Sequence, residues 1–216
     1  MSMLEEIKVV NCDLEESVIL STWMRLGRGN ERICLLDPEN PKRCLKLSSY
    51  KNSKQTVREQ EYFEYLMRKG KCASFIPEYG GRFDGKDFTG FYQEAFLKSD
   101  GWMSLEEAFS CCNENELERA LLIFFDEMVE GNIIISDLTI WNLMVRVTGG
   151  KVVRLVAIDG FGPPDHIPLP KHSYFFGYLK IKRQWKKFLF RYEELKFLRK
   201  RQMPILPPLR LWFKFE

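Results

Sequence analysis

The sequence predicts an α+β fold, with a strand-rich first part carrying one helix and a mostly helical second part carrying a small hairpin. Three observations point there. Short apolar runs broken by turn signals fill residues 17–48 and recur at 88–96. The stretches 116–131 and 171–202 place apolar residues at helical spacing. Between them, NLMVRV and VVRLVAID flank TGGK, two strand-like runs about a glycine turn. With 216 residues and 45% hydrophobic content, the chain suits one compact domain or two small lobes with a real core.

In order along the chain, ICLL (33–36), DPENPK and RCLKLS (43–48) read as a β-hairpin with a long turn. The stretch SKQTVREQEYFEYLMRKG (53–70) reads as a helix with Val57, Tyr62, Tyr65 and Leu66 on one face and Gly70 as its C-terminal stop. FTGFYQEAF (88–96) forms a second strand set. SLEEAF and ELERALLIFFDEMVEG (116–131) are helical, the second closing at Gly131. The last segment is a long basic amphipathic helix or helix pair.

Charge sets few limits for the chain as a whole. Lys and Arg number 33 against 30 Asp and Glu, a net charge of +3 that argues neither for nucleic acid nor for a membrane surface. Six cysteines without a CxxC pair, and only two histidines, argue against a zinc site. The acidic start MSMLEEIKVVNCDLEE lacks the features of a signal peptide, and no run approaches the roughly 20 apolar residues that span a bilayer. The expectation is a cytoplasmic protein with reduced thiols.

The residues suited to chemistry lie in three apolar frames. In GNIIISDLTIWNLMVRV, Asp137 and Asn142 stand five residues apart, and Asp159 in VAIDGFG follows Asp137 by 22. The hairpin between them brings Asn142 at its entry near Asp159 at its exit, two hard oxygen donors suited to magnesium. Taken singly, each is also an ordinary residue for closing a strand. A carboxylate in such a frame needs a cation, because an unpaired buried charge is strongly disfavoured. Lys46, in the strand Cys-Leu-Lys-Leu, has two readings: an edge lysine reaching water, or a buried ammonium paired with Glu59 on the following helix. Gly27 and Gly29 precede it.

The glycine turn, strand lysine, helix glutamate, D-x-x-x-x-N and D-G-F-G occur in the order found in protein kinases. More narrowly, LGRGNERICLLDPENPKRCLKL, REQEYFEYL, ISDLTIWNLMV and AIDGFG resemble the YrbL family, small bacterial kinase-like proteins also called PhoP regulatory network proteins, from about residue 23 to 200. The resemblance implies a two-lobed protein-kinase-like fold, with residues 17–96 as the small lobe and 97–216 as a reduced helical lobe. It further implies an ATP- and Mg2+-dependent phosphotransferase whose acceptor it does not name. Gly27 and Gly29 would approach the nucleotide phosphates and Lys46, held by Glu59, would contact them. Asn142 and Asp159 would bind magnesium, Asp137 would orient the acceptor hydroxyl, and the connector from Gln93 through Glu94 to Phe96 would meet the adenine.

Departures from the kinase pattern accompany these matches. Ile135 and Ser136 stand where kinases usually have His and Arg, Thr139 replaces a common lysine, and the glycine loop is short. Only 57 residues follow Asp159, which argues against a peptide-docking platform. A nucleotide-binding pseudokinase acting as a regulatory module is therefore the alternative.

The segment 180–201 carries ten basic residues against Glu193 and Glu194, while Ile181, Trp185, Phe188, Tyr192, Leu195 and Leu198 repeat at helical spacing. It reads as a closing helix with a solvated basic face, or as a docking face for an anionic partner: a phosphorylated substrate, nucleic acid or a membrane surface.

Overall fold

The computed structural model describes residues 23–29, 31–163 and 169–201. The expected strand-rich start at 17–22, the N-terminal segment and residues 202–216 lie outside them.

Strand β1 (Arg25–Arg28) runs antiparallel to β2 (Ile33–Leu36), and β2 to β3 (Arg43–Ser49), which realises the hairpin about DPENPK. Gly27 is a strand residue opposite Cys34, so it is no turn glycine. The turn lies beyond it, where the Gly29 amide donates to the Arg32 carbonyl at 2.8 Å. β4 (Tyr79–Asp84) and β5 (Phe88–Glu94) complete a five-stranded sheet in the order β1-β2-β3-β5-β4. Gly90 on β5 must lack a side chain, because a Cβ there would stand 2.2 Å from the Lys46 carbonyl oxygen on β3.

The period-two alternation of β3 sorts its side chains between two environments. Leu45 and Leu47 join Ile33, Leu35 and Phe88 in an apolar cluster on one face. Lys46 and Ser48 turn to the other, where Ser48 meets Thr56 of helix α1 (Lys54–Arg68) at 2.6 Å. Helix α1 buries Thr56, Glu59, Gln60, Tyr62, Phe63, Tyr65 and Leu66, whereas Val57 is 36% exposed. Tyr62, Tyr65 and Leu66 thus face inward as expected, whereas Val57 does not, and the polar Thr56, Glu59 and Gln60 complete the inward face. The end of α1 is as expected: Gly70 takes φ 61°, with amide bonds from Gly70 to Met67 and from Lys71 to Leu66, a Schellman stop.

β6 (Trp102–Ser104) leads into α2 (Leu105–Ala108), whose start is a reciprocal capping box between Ser104 and Glu107. α3 (Glu114–Gly131) starts on Asn113. Gly131 remains helical and Asn132 takes the left-handed conformation at φ 46°, which corrects the expected glycine stop. β7 (Leu143–Thr148) and β8 (Lys151–Ala157) form the expected hairpin, with Gly149 and Gly150 at positive φ in its turn. The short β6 pairs with β7, making a three-stranded sheet β6-β7-β8 that the sequence reading lacked.

α4 (Leu169–His172) precedes α5 (Tyr174–Lys200). Ile181, Trp185, Phe188, Tyr192 and Leu195 are buried, with Trp185 stacked on Phe125 of α3 at 4.9 Å, and Leu198 is half-buried. The outer face is not uniformly basic: Phe175, Phe176, Leu179, Phe190 and Phe197 are exposed among its lysines and arginines. A second and larger core cluster runs from the inner face of α1 and Phe91 through α3, the second sheet and α5. No helix among the described residues is long and apolar enough to cross a membrane.

Candidate functional site

Helix α1 positions two loops with one face. Its Glu59 Oε1 accepts hydrogen bonds from the Gly160 and Phe161 amides at 2.5 and 3.0 Å, and its Tyr62 hydroxyl accepts one from the Ile134 amide at 2.8 Å. Phe63 packs on Phe161 at 4.8 Å. Residues at i, i+3 and i+4 share a helix face, so the three reach both loops together. The loops are also bonded to each other: the Ser136 amide donates to Gly160 O at 2.8 Å, its hydroxyl to Gly162 O at 2.5 Å, and Ile135 bridges Phe161. Ile135 is buried, which suits an apolar residue at a position where the kinase pattern has histidine.

The charged centre lies beside these loops. Lys46 is 6% exposed; its ammonium donates to the Ile158 carbonyl and stands 4.0 Å from Glu59 Oε2. A nearer cation is Arg32, which the sequence reading did not single out. Arg32 pairs with Glu59 at 2.7 Å and with Asp159 Oδ1, and Gln55 Nε2 donates to the same Asp159 oxygen at 3.1 Å. The cation that the apolar frame of Asp159 called for is thus supplied by the protein itself. Burial pushes the Asp159 carboxyl upward, but Lys46 and Arg32, together with the hydrogen bond from the Gly160 amide, hold it below the usual carboxylate range. Glu59 moves the other way: burial outweighs Arg32 and Lys46, nearby Asp159 adds repulsion, and its pKa is raised.

Asn142 and Asp159 stand at the same end of the β7-β8 hairpin, where Leu143 pairs Ala157 and the Ile158 amide donates to Asn142 O at 2.8 Å. The Asn142 side-chain amide donates to Asp137 O at 2.9 Å and Asp137 Oδ2 at 3.2 Å, so its own Oδ1 is the group left for a cation. Asp137 is exposed. Among the described residues no three His, Cys, Asp or Glu side chains gather as a metal cage. One carboxylate plus one amide oxygen fits magnesium, which keeps waters and takes further ligands from phosphates.

A cavity of about 370 Å³ collects Gly27 from β1 and Gly29 just beyond it, Lys46 from β3, Glu94 and Phe96 at the end of β5, and Asn142 with Asp159. Arg32 also lines it. Glu59 lies behind this wall, and Asp137 opens on a neighbouring cavity of about 820 Å³ between residues 136–141 and α5. The Glu94 carboxylate is held by Arg154 in a two-point pair at 2.6 and 3.0 Å. Glu94 N and Ala95 N are bonded to Glu78 O and Lys42 O, and the Cys44 thiol lies 3.8 Å from the Glu94 carbonyl. Phe96 packs edge-on against Trp102 at 4.7 Å.

Residues 18–193 match the family model described as PhoP regulatory network protein YrbL. The chain is 30% identical over 180 residues to proteins named "Uncharacterized protein YrbL" from Escherichia coli (strain K12) and from Shigella flexneri. In both cases the match covers 79% of this chain and 85% of the relative.

Proposed function

The chain belongs to the family of PhoP regulatory network protein YrbL, and from its charged centre we propose an ATP- and magnesium-dependent phosphotransferase of two-lobed, protein-kinase-like design. The two lobes would be residues 17–96 and 97–216. The observation that carries the reading is the convergence of Lys46, Asn142 and Asp159, from separate segments, on one cavity with Gly27, Gly29, Glu94 and Phe96. Nucleotide phosphates would lie along β1 against Lys46. The Glu94 carbonyl would meet the adenine. Asn142 Oδ1 and Asp159 would hold magnesium, which neutralises phosphate charge. Asp137 would orient the acceptor hydroxyl and receive its proton as the acceptor oxygen bonds to the γ-phosphorus and the bond to the β-phosphate oxygen breaks, releasing ADP. The cytoplasm supplies ATP and is the compartment in which such a reaction would run.

The test separates binding from transfer. Asp137→Ala retains magnesium-dependent ATP binding and loses ATP turnover; a protein that binds no nucleotide with magnesium, in calorimetry or thermal shift, refutes the reading. The second reading is a nucleotide-binding module that transfers nothing. It is favoured by Arg32, whose guanidinium sits on the carboxylate assigned to the metal. Nucleotide binding with no turnover, unchanged by Asp137→Ala, selects it.

A further inference from the structure

The larger cavity next to Asp137 bears on the identity of the acceptor, an inference that rests on the phosphotransferase reading. One wall is the loop 136–141 with the exposed Asp137 carboxylate. The other is α5, which presents Lys186, Lys187 and Arg191. These charges differ from those that α5 uses to pack. Lys196, further along the helix, is held by Glu114 at 2.5 Å and Glu118 at 2.7 Å. Of the three cavity cations only Arg191 pairs with a carboxylate among the described residues, the exposed Glu194 at 2.6 Å, and such surface pairs exchange readily. Lys186 and Lys187 are exposed, without an ion pair among the described residues. Two exposed aromatic surfaces border the same space: Trp141, held by a bond from its indole N–H to Glu106 at 3.2 Å, and Phe190.

A carboxylate facing a cationic wall orients an asymmetric ligand. An anionic group is repelled from Asp137 and attracted to Lys187 and Arg191, which directs an uncharged hydroxyl end toward the carboxylate. A volume near 820 Å³ suits a small molecule and is too small for a folded partner. We propose that this cavity is the acceptor site and that the acceptor is a phosphate-bearing polyhydroxy compound, its phosphate on the α5 cations and a hydroxyl at Asp137.

The experiment uses the full chain saturated with magnesium and a non-hydrolysable ATP analogue, so that added phosphate probes do not compete for the nucleotide cavity. Glycerol 3-phosphate, ribose 5-phosphate and glucose 6-phosphate are titrated against glycerol, ribose and glucose by calorimetry. The phosphorylated probes should bind at least about tenfold more tightly than their parents, and Lys187→Glu/Arg191→Glu should remove at least about tenfold of that affinity. A control with the same charge change elsewhere, Lys51→Glu/Lys151→Glu, should retain it. Equal response to probes and parents overturns the proposal, as does an equal loss in the control, which would reveal diffuse attraction only. Vesicles of phosphatidylglycerol or phosphatidylcholine form the second arm. Capture on phosphatidylglycerol that glycerol 3-phosphate displaces and that the Lys187/Arg191 variant loses assigns the phosphate to a lipid headgroup. Capture that survives the double substitution belongs to the exposed phenylalanines of α5 and overturns the proposal. The nucleotide titration stands apart: failure to bind the analogue removes the phosphotransferase reading, whereas analogue binding without preference for phosphorylated probes removes only the acceptor class.

Discussion

Replacing Arg32 by methionine, which keeps the length of the side chain and removes its charge, leaves Lys46, 4.0 Å from Glu59, as the remaining cation near the two carboxylates. The Arg32 side chain is 5% exposed, Glu59 0% and Asp159 29%. Breaking a buried ion pair from one side costs about 3–5 kcal/mol, because the remaining charge is left uncompensated. Water reaches Asp159, so the lower end, about 3 kcal/mol, is the expected loss. For a chain of this length that corresponds to a fall in Tm of roughly 6–12 °C. Circular dichroism melts at pH 7 measure it directly. Adding Glu59→Gln to Arg32→Met should recover part of the loss, since the orphaned carboxylate is then neutral, and the double-mutant cycle should show coupling. Magnesium with ATP should raise the Tm of Arg32→Met by more than that of the parent, because Asp159 no longer has to exchange one cation for another. A melt within about 0.5 kcal/mol of the parent, the range of an ordinary surface change, refutes the description of this centre.

Asp159→Asn should abolish the Tm rise induced by magnesium and ATP, and should also cost stability without ligand, because it removes the Arg32 partner; an unaltered ligand-induced rise identifies Asp159 as a turn residue. Since the folded Asp159 carboxyl titrates below its unfolded value of about 4, its contribution to stability is complete above that value and is lost as pH falls through the folded pKa. Urea midpoints between pH 6 and 3 should therefore fall more steeply for the parent than for Asp159→Asn, with Glu59, whose pKa is raised, acting in the opposite direction in both. Gly160→Ala places a Cβ 2.9 Å from the Asp137 Cβ at φ +85°, a strain of about 1–3 kcal/mol, and should lower turnover more than nucleotide affinity; equal kcat would show that the loop tolerates the shift.

The parts of the fold legible in the sequence are those whose signals are local. DPENPK and TGGK force the chain to reverse between apolar runs, and each hairpin follows. The approach of Asn142 to Asp159 was legible for the same reason, being a property of one hairpin. Non-local pairing was less accessible: β6 is three residues long, too short to announce itself, and gains its place only by lying on β7. The inner face of α1 departs from its apolar periodicity at Val57 because Thr56, Glu59 and Gln60 form a buried stripe of polar side chains. Gly131 was the natural stop for α3, yet a Cβ at Gly131 would stand 2.6 Å from the Ile133 Cδ1, so its smallness serves packing while Asn132 makes the turn. Arg32 carried no signal at all. It precedes a strand in a charged turn, and only tertiary contact with Glu59 and Asp159 sets it apart from the other arginines.

The apolar setting of Asp137 and Asn142 follows from the same geometry. Ile133, Ile134 and Ile135 before Asp137, and Leu138 and Ile140 after it, are buried, while Asp137 between them is exposed. Each apolar neighbour fixes the backbone against the core, and each fixed residue removes freedom from the polar one beside it. The hydrogen bonds from the Ile134 amide to the Tyr62 hydroxyl and from the Gly160 amide to Glu59 extend that constraint to both loops. A loop chosen only to close a strand has no need for such anchorage, since exposed turns tolerate slack. The role proposed for Asp137 and Asn142 does require it, because a displacement of about 1 Å suffices to disable a group that must meet a reacting atom. The hydrophobic run is therefore the support from which two polar side chains project.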